Sequence, residues 1–192
     1  MTSTGTLHLA STGEANALLA TDPLALLIGM LLDQQIPMEK AFTSPAVLRE
    51  RLGGEFDART IAEHDPAAFE KLFRRPPALH RFPAAMAKRV QALAALLVER
   101  YDGNAAAVWE GASSGAELVQ RLAALPGFGE QKAQIFAALL GKQLGVRPRD
   151  WRAATGEFGE AGSFRSVADI VDDDSLAKVR AYKKQLKAAA KG

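Results

Sequence analysis

The stretch Leu125-Pro126-Gly127-Phe128-Gly129-Glu130-Gln131-Lys132-Ala133 constrains the fold of this chain more than any other. Proline cannot continue a helix, glycine admits a positive φ, and a glutamate suits the first turn of a helix that reopens after them. On both sides the apolar spacing is helical, with Ala116, Val119, Leu122 and Ala123 before the turn and Ala133, Phe136, Ala137 and Leu140 after it. The spacing predicts a helix, a hairpin and a second helix over about 116–140. A glycine-turned αα-corner would carry the same pattern, so the turn by itself fixes a local shape and not its use.

What such a turn presents to solvent is chemical. The first amides of the second helix have no partner within it, the helix dipole places positive charge there, and Gly127 and Gly129 let another backbone come close. A nucleic-acid phosphate held there would be bound without regard to base sequence.

The remainder reads as nearly all α in a single unit over 1–192, because alanine, leucine and charged residues dominate and period-two β-branched runs are scarce. Thr21-Asp22-Pro23 reads as a cap and first turn for an apolar helix through Leu24 to Leu32, ending near Gln34 or Gln35 before Pro37. That helix is apolar all round and belongs at the centre of a bundle, which forces Asp33, Gln34 and Gln35 to a surface or a cleft. Its apolar run of nine residues falls well short of the roughly 20 a membrane span needs. Shorter helices are expected at 38–42, 45–52, 58–62 and 66–73, an amphipathic one at 86–100, a short one at 105–109, and a looser segment after Leu140.

A last helix, at about 175–190, follows Asp172-Asp173-Asp174 and carries Lys178, Arg180, Lys183, Lys184, Lys187 and Lys191. Acid before a helix and base at its end satisfies the dipole, and it also suits a phosphate-facing surface; both readings stand. The net charge of +2 decides nothing. With no cysteine, disulfides, Cys-ligated zinc and a cysteine-held iron–sulfur cluster are excluded. His8, His64 and His80 do not cluster, so no transition-metal site is expected. Met1 to Thr12 lacks a basic segment followed by an apolar core, so a cytoplasmic protein is expected, nucleoid-associated in a bacterium. Trp109 and Trp151 are expected in the core.

In chain order, Asp22-Pro23 leading to Leu-Leu-Asp-Gln-Gln, then Met86-Ala87-Lys88-Arg89-Val90, then the hairpin form a constellation. It resembles the helix-hairpin-helix superfamily of base-excision DNA glycosylases, the endonuclease III and alkylpurine glycosylase relatives, over about 20–150. The resemblance implies a two-lobed all-α fold that binds double-stranded DNA as a monomer. It also implies a base flipped into a cleft and a hairpin, here Gly127, Phe128 and Gly129, holding a phosphate, beside a monovalent cation (Na or K) on its carbonyls. By the same match Gln35 enters the gap left by the flipped base.

Lyase members carry a nucleophilic lysine two residues after the second hairpin glycine. Here that position is Gln131. Lys132, about 100° further round the helix, is expected on a phosphate. The resemblance therefore implies a monofunctional glycosylase, with Asp150 as the carboxylate facing an oxocarbenium-like state and Asp33 as the second candidate. Standing between Arg149 and Arg152, Asp150 reads equally as an exposed loop carboxylate in local ion pairs. The competing reading is a non-catalytic DNA-binding relative that has lost the acid.

Overall fold

The apolar run folds as α2 (Pro23–Leu32), and every residue from Leu24 to Leu32 is buried. The structure is a computed structural model and describes residues 6–192; the first residues of the Met1 to Thr12 segment lie outside it. Asp22 starts α2 as the sequence implies, its carboxylate accepting the Leu24 and Ala25 amides at 2.9 and 3.3 Å. Ahead of it stands α1 (Gly13–Thr21), capped by Thr12, a helix that the sequence reading passed over.

Next comes α3 (Met38–Arg51), one helix where two are expected, with Pro45 inside it. The ring removes one amide from the ladder, and nearby Ser44 gives its hydroxyl to Lys40 and Leu79 carbonyls. α3 lies so close on α2 that a Cβ at Gly29 would sit 2.6 Å from Cδ1 of Phe42, a ring with no exposure of its own. Gly29→Ala is expected to cost about 1–3 kcal/mol of stability, which chemical denaturation with an unchanged m-value would show.

The short helices α4 (Ala58–Glu63) and α5 (Pro66–Arg74), capped by Asp57 and Asp65, both pack on α6 (Pro83–Tyr101). α6 begins a turn earlier than Met86 because Pro83 suits its first position. These six helices form one lobe. The other is built on the hairpin pair, α7 (Gly115–Ala123) and α8 (Glu130–Gln143), with α9 (Trp151–Ala154) and the short 3-10 turns Gly156–Gly159 and Val167–Asp169 packed against α8. A shared core runs through both lobes.

Both tryptophans are core, as expected. Trp109 meets Phe136 edge-on at 5.7 Å, and Trp151 covers Gly141, where a Cβ would lie 2.5 Å from the indole. The chain closes with α10 (Asp173–Ala190), begun by a reciprocal Asp172–Ser175 cap. Among the described residues there is no strand, and no single helix is long and apolar enough to cross a membrane.

Candidate nucleic-acid interface and cleft

The two hairpin glycines do different work. Gly127 has φ +82 and a Cβ there would press on Leu31 at 3.2 Å, so both the turn and the packing require glycine. Gly129 has φ −84 and ψ 178, a conformation open to any residue, and a Cβ on it would meet nothing within 4 Å. Among the described residues nothing calls for a glycine at 129. It caps α8 without a side chain, whereas Thr12, Asp22, Asp57, Asp65, Ser114 and Asp172 each bond the start of their own helices. The first amides of α8 therefore face outward past a bare backbone, the arrangement that binds an anion.

Phe128 does not belong to that surface. Its ring is buried against Phe136 at 6.0 Å and its amide donates to the Leu125 carbonyl at 3.1 Å. An aromatic in the turn reads the same whether it is a core anchor or an exposed contact, and the facing Phe136 decides for the core.

Lys132 is the larger correction. It does not reach outward to a phosphate: its Nζ donates to the carbonyls of Met30, Leu31 and Asp33 at 2.9, 3.3 and 3.4 Å. All three N–H donors are taken by the C-terminal end of α2, where a cation is also favoured by the negative end of the dipole. Burial lowers its affinity for a proton, and the Asp33 carboxylate works against that shift. The hairpin helix is thereby bolted to the loop that follows α2.

That loop is braced from three further sides. Gln34 donates to the Leu31 carbonyl at 2.9 Å and accepts from Arg89 of α6 at 3.2 Å. The buried His80 reaches the Gln34 carbonyl at 2.9 Å through Nε2, and its Nδ1 accepts the Phe82 amide at 3.0 Å, a pattern that calls for the neutral ring protonated on Nε2. Burial pushes the His80 pKa down, which keeps that form. Between these braces Gln35 is exposed with φ +57. A left-handed glutamine is strained, and it persists because its neighbours on both sides are fixed. Phe82, 41 % exposed, stands beside His80. Neither His80 nor Phe82 lies in a periodic segment, so sequence reading had no signal for either.

Beside the loop a cleft of about 360 Å³ separates the start of α8 from α10. Met30, Ile135, Phe158 and Leu186 give it apolar walls, Asp33, Gln131 and Lys183 bring polar groups to it, and a second carboxylate, Glu157, is paired there with Arg165 at 2.7 Å. Asp33 ends α2 there. Burial raises its pKa, with Lys183 and Lys132 pulling the other way. Among the described residues its carboxylate accepts no hydrogen bond, and it is left free for a ligand or water. Gln131 is exposed at the same cleft, where an amine nucleophile would otherwise stand.

Asp150 is elsewhere. Its side chain is 77 % exposed, lies 3.6 Å from Arg149 and starts α9 from a left-handed backbone with φ +59. A carboxylate so hydrated has no cleft to act in. The expectation rested on chain position after the second hairpin helix, and the chain passes that point on an outer surface.

The model of the HhH-GPD superfamily of base excision DNA repair proteins matches residues 28–190, and the chain belongs to that superfamily. Its helix-hairpin-helix, its all-α fold and a place in base excision DNA repair follow, and proteins of this superfamily bind DNA. A search of the curated proteins gave no match.

Proposed function

We propose that this superfamily member is a monofunctional DNA glycosylase whose carboxylate is Asp33. One observation carries the reading: the cleft beside the strained Gln35 holds an unbonded, partly buried carboxylate and a glutamine in place of a nucleophilic amine. Duplex DNA lies with one phosphate on the α8 amides, Gln35 fills the gap in the stack, and the flipped base enters between α8 and α10. The bond from C1′ to the base nitrogen breaks with its electron pair going to the base, which takes up a proton from solvent. Water adds to the cationic C1′ and gives its own proton to ionised Asp33, whose charge also stabilises the oxocarbenium-like state. Asp33 afterwards returns the equivalent proton to solvent. Gln131 cannot form a Schiff base, so the strand stays whole.

At the hairpin the backbone carbonyls are neutral oxygen donors, a kind suited to a monovalent cation such as Na or K. The Leu125 carbonyl already accepts an amide. Such a cation would screen the phosphate held beside it.

Duplexes each carrying one lesion test the proposal: base release with strand cleavage only after hot alkali supports it, and cleavage before alkali refutes it. The second reading, a DNA binder without chemistry, is favoured by the exposure of Asp150. It requires salt-dependent duplex binding and no release from any duplex.

The hairpin half of the proposal is tested separately. Gly129→Val adds bulk only to open space, so the melting temperature is expected to hold. Duplex affinity should fall at least about tenfold, the loss of one charge-assisted bond, as read by fluorescence anisotropy. Unchanged affinity would remove the α8 amides from the interface.

A further inference from the structure

α10 continues well past its core contacts. Its buried residues are Ser175 and Val179, and from Lys183 to its end every residue is exposed. A helical extension with no packing is marginal by itself, even with good helix formers such as lysine and alanine. What the extension carries is positive charge. Arg180 is paired with Glu39, and Lys178 with Asp174 at 2.6 Å. Lys183, Lys184 and Lys187 have no carboxylate within 4.0 Å among the described residues.

Those three lysines share one face, at i, i+1 and i+4. They line a groove of about 490 Å³ whose other wall is Pro37, Met38 and Glu39, the residues that directly follow the Gln35 loop. The loop is thus tied to the hairpin helix by Lys132, and faces α10 through residues 37–39 and through Asp33. Among the described residues Glu39 is the only acid on the groove wall, and Arg180 neutralises it.

We propose that the Lys183–Lys187 face of α10 is a second phosphate clamp, holding the duplex backbone on the α10 side of the flipped nucleotide. The hairpin holds one backbone segment with main-chain amides, and α10 holds another with side-chain charge. The groove between them leaves the base free to enter beside Asp33. This rests on the DNA binding of the proposed function and not on base release. Lysine suits the task because a hydrated point charge on a flexible stem tolerates the shift in phosphate position as a base flips. Dipole compensation at the end of α10 would favour cations in the last turn alone, and Lys183 and Lys184 lie well before it.

The test is Lys184→Ala/Lys187→Ala, with Arg49→Ala/Lys71→Ala as a control that removes the same charge elsewhere. A duplex bearing a stable abasic-site analogue is titrated by anisotropy from about 50 to 200 mM salt. The α10 variant is expected to bind about 10- to 30-fold more weakly, with a salt slope shallower by about 2, while the control stays near wild type. Equal losses in both variants, or an unchanged slope in the first, overturn the clamp. A wild-type chain that releases no base yet binds with an α10-dependent slope supports the clamp and sinks only the glycosylase reading. No duplex binding by the wild type overturns both.

Discussion

Asp33→Asn is expected to slow base release by about 10²- to 10⁴-fold, the usual loss when a positioned acid–base group is removed. Duplex affinity should stay close to that of the native chain, because the hairpin and α10 surfaces are untouched. Single-turnover release from an end-labelled duplex, developed with alkali, reads the first effect and anisotropy the second. An unchanged rate would take Asp33 out of the reaction.

The same substitution has a signed effect on stability. Burial raises the Asp33 pKa from its ordinary 3.8, against the pull of Lys183 and Lys132. The folded chain therefore holds that proton to higher pH than the unfolded chain does. Its favourable contribution is complete below 3.8 and is lost as pH rises through the folded value. Near neutrality the ionised carboxylate is a cost to the fold, so Asp33→Asn should melt no lower than the native protein. A variant that loses activity without losing stability marks a group kept for its chemistry. The native release rate should show an acid limb above pH 3.8, where Asp33 takes up its proton.

Lys132→Met carries the opposite expectation. It keeps the aliphatic stem and strips the carbonyls of Met30, Leu31 and Asp33 of a shared cationic donor. A loss of about 2 kcal/mol is expected, part of it returned by relieving a buried charge. That lowers the melting temperature by roughly 4–8 °C for a chain of this size. Base release should collapse as well, because α8 and the Asp33 loop lose their shared register. A phosphate-contacting lysine would behave otherwise, with an unmoved melting temperature and a salt slope shallower by about 1. Thermal melting and the salt titration together separate the two roles.

The hairpin, the apolar α2 and the cap at Asp22 were legible because each is a local device. Turn chemistry, helical period and capping depend on residues a few positions apart, and those are adjacent in any fold the chain adopts. Helices α1 and α9 were missed for the converse reason. α1 has little apolar periodicity of its own and α9 is four residues long, and both are held by the body they rest on. α3 is expected in two pieces around Pro45 and stays whole because packing on α2 outweighs the one amide the ring removes.

The site divides along the same line. Sequence alone determined that helices flank a glycine hairpin, that a polar Asp-Gln-Gln must leave the end of a buried helix, and that glutamine stands where a lyase lysine would. It also brought the superfamily within reach, since those features keep their order along the chain. Only the tertiary structure decided which carboxylate at the cleft is left without a partner, which way Lys132 turns and what α10 stands beside. Asp33 and Lys132 are 99 residues apart and Nζ lies 3.4 Å from the Asp33 carbonyl, whereas Asp150 follows the hairpin closely and faces solvent. Proximity along the chain sets backbone shape. Burial, proton affinity and the partners of a charge depend on distances through space, which the packing of α2, α8 and α10 alone supplies.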